Sequence, residues 1–313
     1  MSIKYKIIFW GTPIFADLIL KKLIKSEFKP FLLITMLDQP VGRKQILTPP
    51  PVKITAEKNN ITVWQLKSLS DQYFQKKLLS LSADLFIVAS YGLILPQVIL
   101  NMPKFGSINV HPSFLPKYRG ATPIQSAIIA GETKIGASIV LMDSEVDHGK
   151  IITQKETEIE ATDTTETLMG KMANLSGDLL IKTLPDWFNK KIIPCPQDHN
   201  KATFTHQIKK EEGKINWNKS AQEIERIIRA YCPWPSAYTV LDGKIVKIIQ
   251  GEILSLEHVD TPGKIFLNGK NNLCVACGDD AIILKIIQPE GKKPLEAKSF
   301  LNGHQEIVGK ILN

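Results

Sequence analysis

The amino-terminal part of the chain alternates between unbroken apolar runs and amphipathic helical spacing. Residues 5–10 (YKIIFW) are almost wholly apolar and stop at Gly11-Thr12-Pro13. Beyond that turn Phe15, Leu18, Ile19, Leu20 and Leu23 recur at the spacing of one helix face. The pattern predicts strand, tight turn, helix. Residues 31–36 (FLLITM) form a second apolar run, and residues 84–90 (DLFIVAS) form a third after an amphipathic segment over 66–81. Strands that are apolar throughout and alternate with helices predict a mostly parallel sheet covered on both faces, the Rossmann-like α/β arrangement. Ligands of such sheets sit beyond the carboxyl ends of the strands.

The pattern changes near Trp187. Residues 188–210 hold five lysines against one acid and include Pro194-Cys195-Pro196, which blocks regular structure. Beyond them residues 220–231 (SAQEIERIIRAY) have one apolar face and stop at Pro233-Trp234-Pro235. Short strand-like runs follow at 237–241, 245–250, 264–267, 273–276 and 281–287, separated by turn residues. Such spacing predicts a smaller β-barrel, with the OB-like barrel one candidate. The expected division is a first domain over 1–188, a basic linker over 189–206 and a barrel domain over 207–313.

Composition narrows the class. The chain has 313 residues, 43% hydrophobic and 22% charged, with a mean hydropathy of −0.03, which suits a water-soluble protein of two domains and excludes a disordered or collagen-like chain. Every longer apolar stretch is broken well short of the ~20 residues of a membrane span. The start, MSIKYKIIFWGTP, is unlike a signal peptide. Four scattered cysteines do not make a disulfide framework, so a reducing, cytoplasmic setting is expected. The net charge of +8 suits a polyanionic partner. Residues 207–313 carry only 15 basic against 13 acidic side chains, so nucleic-acid binding there requires a local patch, for which Lys209, Lys210, Lys214, Arg226 and Arg229 are available.

The chemistry concentrates in residues 105–124, FGSINVHPSFLPKYRGATPI. Residues 107–110 read as a strand, so Asn109 and His111, two apart, point to one side at its carboxyl end. Pro112 and Pro116 force a rigid loop, Lys117-Tyr118-Arg119-Gly120 adds positive charge, and a helix is predicted from Pro123. Residues 136–143 (GASIVLMD) predict a further strand of the parallel sheet, followed by a loop that carries Asp147 and can return to His111. A carboxylate, an imidazole and an amide donor are the groups that attack on a carbonyl requires: orientation, proton transfer and an oxyanion donor. Taken singly, each has a plain alternative as a cap or a satisfied polar residue. No serine or cysteine stands in a nucleophile-elbow motif, which favours direct transfer between two bound substrates. Cys274-Val-Ala-Cys277 lacks a partner pair and reads as two half-buried thiols. Gly11-Thr12-Pro13 continues into neither GxGxxG nor a Walker pattern and reads as a turn.

The strings NVHPSFLPKYRGATPI and GASIVLMDSEVDHGKI resemble the 10-formyltetrahydrofolate-dependent formyltransferases. Five further segments agree with that family: FWGTPIFA, QPVGRKQILTPPPVK, YGLILP, KINWNKSAQEIERIIRAYCPWPSAYT and QPEGKKPLEAKSFLNG. The resemblance implies that 10-formyltetrahydrofolate is the formyl donor and that the acceptor is the α-amino group of methionyl initiator tRNA. It makes Asn109, His111 and Asp147 catalytic, places Ser113, Phe114, Leu115 and Pro116 against the folate, and puts Tyr91 and Gly92 beside the pterin. The transfer needs no metal, and the sequence offers no ligand cluster for one; no membrane partner is expected, and a monomer is expected because nothing in the sequence demands an oligomer. Residues 38–53 correspond to an insertion that wedges into the tRNA acceptor end, with Arg43 on its functional arginine and Lys44 beside it; Lys209 and Lys210 would add contacts from the second domain. Met36-Leu37, Gln39, His148 and Lys150 depart from the family pattern. Two other functions compete. Formyl transfer to a small amine such as an amino sugar nucleotide would use the same trio, although the insertion and the WNKSAQEIERIIRA segment argue against it. A purely nucleic-acid-binding module would leave the trio unexplained.

Overall fold

A computed structural model of the chain describes residues 5–312 except Arg43, Val259 and Lys270. The chain divides into two compact units. The first comprises residues 1–123, 134–158 and 169–205, and the second residues 124–133, 159–168 and 206–313.

In the first unit β1 (Ile7–Gly11) is followed by α1 (Ile14–Ile24) and β2 (Leu32–Thr35). A small hairpin, β3 (Gln39–Val41) and β4 (Ile46–Thr48), leads to α2 (Pro51–Lys58) and β5 (Thr62–Gln65). Next come α3 (Gln72–Ser80), β6 (Leu85–Ala89), the short α4 (Gln97–Leu100) and β7 (Ser107–His111). The apolar runs predicted as strands are β1, β2 and β6, and every residue of the three is buried. A shell of Trp10, Leu32, Ile34, Phe74, Phe86 and Tyr91 packs together on one face of this sheet. The amphipathic segment expected from residue 66 becomes helical only at Gln72. Asp71 decides the start, because its carboxylate accepts a hydrogen bond from Tyr73 N at 2.9 Å and caps the helix there.

After β8 (Arg119–Gly120), α5 (Pro123–Ala130), β9 (Lys134–Leu141) and β10 (Lys150–Glu158), the sheet is complete in the order β10-β9-β7-β6-β1-β2-β5. The strands from β7 to β5 run parallel. β9 runs antiparallel to β7, with His111 opposite Ser138 and Ile108 opposite Leu141. This corrects the expectation that Asp147 follows a strand of the parallel set. The connection from β7 returns the chain to the end of the sheet where β7 stops, so the next strand must run back.

The expected linker is not a free tether. Ile151 and Cys195 exchange two backbone hydrogen bonds of 2.8 Å, and β11 (Phe204–Thr205) pairs with β8 in parallel. Residues 195–205 therefore form a strap on the first unit. Two stretches from within 1–188 group instead with the second unit. There Thr165 Oγ1 donates to Ala230 O at 2.6 Å, Arg229 Nη1 donates to Asp163 O at 3.0 Å, and Gly131 leaves room for the Arg226 guanidinium.

The second unit contains α6 residues up to Leu168 of the helix Thr165–Phe188, then α7 (Ala221–Ala230). Five strands follow: β12 (Ala237–Leu241), β13 (Lys244–Leu254), β14 (Ile265–Asn268), β15 (Asn272–Ala276) and β16 (Ala281–Pro289). They form one antiparallel sheet in the order β12-β13-β16-β15-β14, to which β17 (Leu295–Glu296) adds beside β16. Ile224 and Ile228 of α7 pack with Ile248, Val275, Ile282 and Ile287 of the sheet, as the apolar face predicted over 220–231 requires. Cys277 lies in this core, and burial pushes its thiol up to about 12. No helix among the described residues is long and apolar enough to cross a membrane.

The second unit's helix begins with a reciprocal capping box, Ser220 Oγ accepting from Glu223 N and Glu223 Oε2 accepting from Ser220 N, both at 3.1 Å. Ser220→Ala is expected to lower the unfolding free energy by about 1 kcal/mol. Urea unfolding of the full chain, followed by far-ultraviolet circular dichroism, checks this; an unchanged midpoint would mean that the box contributes nothing.

Candidate active site

Asn109 and His111 lie on one side of β7, as their spacing predicts, and His111 is buried. The ring is held from both nitrogens. Nε2 lies 3.0 Å from the Tyr118 carbonyl; a carbonyl only accepts, so Nε2 carries the hydrogen. Nδ1 faces Asp147 Oδ1 at 3.4 Å. The ring therefore presents Nδ1 to the Asp147 carboxylate.

Asp147 is brought back by the loop after β9. Its Oδ1 accepts from Asn109 Nδ2 at 2.9 Å and its Oδ2 accepts from Gly120 N at 2.8 Å. One carboxylate thus joins the amide, the imidazole and the backbone of β8. Asp147 and Tyr118 both have left-handed backbone, with φ of +51° and +60°. Such a conformation costs a non-glycine residue about 1–2 kcal/mol, which the surrounding bonds must offset. Gly120, at φ +107°, has no such cost, and a Cβ there would lie 2.5 Å from Thr205 O.

The candidate folate loop is pinned from below. Ser113 Oγ donates to Lys117 O at 2.7 Å, and Ser138 Oγ donates to Ser113 O at 2.6 Å and accepts from Leu115 N at 3.1 Å. Gln154 Nε2 adds a bond to Leu115 O at 2.9 Å. Leu115 is buried, Pro116 is half-buried, and Phe114 is 40% exposed. Phe114 rests on Gly136, where a Cβ would come within 2.6 Å of the ring. Of the four, Phe114 offers the exposed apolar surface. The Tyr91 side chain is in the core, its ring edge-on to Trp10 at a centroid distance of 5.2 Å. Its backbone is what faces the neighbouring loops, with Thr12 Oγ1 donating to Tyr91 O at 2.8 Å. Gly92 follows at φ +101°.

Arg43 lies outside the described residues. Lys44, exposed, sits at the tip of the β3–β4 hairpin, whose outward side chains Val41, Ile46 and Leu47 are apolar and more than half exposed. Lys53, by contrast, is tied down at the foot of the hairpin. It pairs with Asp38 Oδ1 at 3.0 Å and donates to Gln65 Oε1 at 2.8 Å. Gln65 Nε2 also donates to Asp38 Oδ1 at 2.7 Å, and together the amide and the ammonium hold the Asp38 carboxyl below its ordinary range. Lys209 and Lys210 are exposed on the second unit, next to Glu211 and Glu212. Arg229 is forked onto Glu225 within α7, so it contributes less free charge to the expected patch than its sequence position suggests. Among the described residues no group of three or more His, Cys, Asp or Glu side chains is placed to hold a metal ion.

The family model for formyl transferase matches residues 4–184, and that for the formyl transferase C-terminal domain matches residues 207–305. The chain belongs to the formyl transferase family. It is 44% identical to methionyl-tRNA formyltransferase of Staphylococcus epidermidis, over 98% of this chain and 99% of that protein. It is 41% identical to the enzyme of the same name from Staphylococcus aureus, again over 98% and 99%. A solved N-formyltransferase from Helicobacter canadensis, in complex with folinic acid and dTDP-3-aminofucose, superposes with a TM-score of 0.66 at 22% identity, over 90% of this chain and 99% of that one. HypX from Aquifex aeolicus in complex with tetrahydrofolic acid superposes with a TM-score of 0.64 at 14% identity, over 97% of this chain. The chain spans about half the length of HypX, covering 48% of it. These structures share the fold. Membership makes the chain an enzyme that transfers a formyl group.

Three participants carried no sequence signal: the Tyr118 carbonyl, the Gly120 N–H and the Gln197 amide described below. Backbone groups are invisible in residue type, and Gln197 lies in the segment read as a linker.

The buried Tyr91 hydroxyl has no hydrogen-bond partner, and burial raises it from about 10 to about 12. A raised phenol contributes stability that is complete below pH ~10 and is lost as pH rises to ~12. The unfolding free energy of the wild type is therefore expected to fall between pH 10 and 12 by about 2 kcal/mol more than that of Tyr91→Phe. Denaturant titrations of both proteins across that range check it; parallel curves would show that the hydroxyl does not titrate with unfolding.

Proposed function

We propose that this enzyme transfers the formyl group of 10-formyltetrahydrofolate to the α-amino group of methionyl initiator tRNA. The observation that carries the chemistry is the single carboxylate of Asp147 joining Asn109, His111 and Gly120 N. Transfer to an amine needs two services. Negative charge develops on the formyl oxygen as the amine attacks, and a proton must leave the amine and reach the departing nitrogen of the donor. Asn109 has two amide hydrogens; one is spent on Asp147, and the second serves the oxygen. His111 Nδ1 is the imidazole position that takes the proton, with Asp147 supporting the charge so formed. Because Nε2 is committed to Tyr118, the ring cannot turn to present the other nitrogen. Phe114 supplies an apolar face for the flat ring system of the donor.

The acceptor reading rests on the relatives named methionyl-tRNA formyltransferase, which match the chain from end to end, second unit included. Its support within the chain is the exposed Lys44, Lys209 and Lys210 and the occurrence of Arg43 next to Lys44 in the sequence. Initiator selectivity and a cytoplasmic, monomeric enzyme complete the reading.

His111→Ala is expected to lower the single-turnover transfer rate by about 100-fold or more without lowering the melting temperature appreciably. A rate near that of the wild type would remove His111 from the chemistry. With 10-formyltetrahydrofolate as donor, methionyl initiator tRNA should be formylated far faster than methionyl elongator tRNA or an amino sugar nucleotide. Transfer only to the sugar amine would keep the chemistry and overturn the acceptor.

A further inference from the structure

The strap over residues 195–205 carries a buried polar relay that ends on Asp147. Arg119 is buried, and its guanidinium fork meets Gln197 Oε1 from Nη2 at 2.7 Å and from Nε at 3.2 Å. The same Nη2 reaches His199 Nδ1 at 2.8 Å. A guanidinium only donates, so the oxygen of the Gln197 amide must face Arg119 and the nitrogen must face away. That nitrogen donates to two carbonyls, Asp147 O at 2.9 Å and Gly149 O at 2.7 Å. The bonds bracket His148 and close the turn in which Asp147 holds its left-handed backbone. Gln197 is itself buried, so these are the partners its amide has in place of water.

Residues 119 and 120 therefore grip Asp147 twice. Gly120 N holds the carboxylate directly, and the Arg119 side chain holds the main chain through Gln197. The grip is anchored from the strap as well: Arg119 N donates to Thr203 O at 2.8 Å and Thr205 Oγ1 donates to Arg119 O at 3.1 Å. A turn with a strained backbone at its functional residue persists only if its surroundings over-determine it, and without the Gln197 nitrogen the carbonyls on either side of His148 lose this donor.

Accepting the reading of Asp147 given above, we infer that Gln197, oriented by Arg119, is a positioning residue for formyl transfer. It touches no reacting atom; it fixes where the Asp147 carboxylate stands relative to Asn109 and His111. The consequence is a loss in rate without a loss in substrate binding, since sub-ångström displacement of a catalytic group alone lowers the rate steeply.

The test uses the full-chain enzyme in single-turnover and steady-state assays with 10-formyltetrahydrofolate and methionyl initiator tRNA. Gln197→Met is expected to lower the transfer rate by roughly 10- to 100-fold while the KM of each substrate changes by less than about threefold. In an Asp147→Asn background the same substitution should change the rate by less than about twofold, because its effect passes through Asp147. Gln197→Glu is the second variant: it keeps the volume and gives Arg119 a carboxylate partner, and it replaces the donor to the two carbonyls by an oxygen that cannot pair with them. It should melt near the wild type and still show the loss in rate. A normal rate in Gln197→Glu, a rise in KM at constant kcat, or an equal loss in the Asp147→Asn background would overturn the inference. Full activity in Asp147→Asn itself would overturn the underlying reading of the site instead, so the two failures are distinguishable.

Discussion

A carboxylate enclosed by protein needs hydrogen-bond partners in place of water, and Asp147 has an amide, an imidazole and a backbone N–H converging on it from β7 and β8. Much of the first unit can be understood as the apparatus for that convergence. The parallel strands place Asn109 and His111 at one end of the sheet. β9 must then run back alongside β7, so that the loop after it can return beside the same strand. Gly120 must be glycine to pass close to Thr205 while aiming its N–H at the carboxylate. The strap after residue 194 closes the arrangement by covering β8.

The burial of this cluster has two consequences. Polar bonds in a water-poor site are strong, and any of them left unmade is costly, so the participants are paired to an unusual depth. Asp147 meets Asn109 and Gly120, Gly120 lies beside Arg119, and Arg119 meets Gln197 and His199. Each link also settles a chemical ambiguity. The Tyr118 carbonyl sets which imidazole nitrogen bears its hydrogen, and the Arg119 guanidinium sets which way the Gln197 amide points. The hairpin at residues 39–48 follows the opposite principle. It exposes apolar side chains and Lys44, while Lys53 of the following helix α2 pairs with Asp38 just before the hairpin.

Several features were readable from residue order. The unbroken apolar runs of β1, β2 and β6 permitted only strands buried on both faces, and the two-residue spacing of Asn109 and His111 put them on one side of β7. The apolar face of residues 220–231 required a partner sheet, and the short alternating runs after Ala237 supplied one. Where the sequence reading strayed, a local bond or a long-range packing decision was responsible. Helix α3 starts late because the Asp71 cap outweighs the apolar spacing of residues 66–70. The Tyr91 ring goes into the core, edge-on to Trp10, which its place on a loop did not foretell.

Residue type and spacing by themselves determined the two kinds of sheet, the strand that presents the amide and the imidazole, and the loop able to bring a carboxylate to them. These are properties of neighbours in the chain, where the periods of helix and strand act. Tertiary structure alone decided the direction of β9, the conversion of a supposed linker into a strap, and the choice of Gln197 as the group that holds the Asp147 turn. Those outcomes depend on residues far apart in the chain meeting in space, as His111 meets Ser138 and Gln197 meets Asp147, and on which hydrogen-bond donors remain unspent when they do. No local pattern encodes that count.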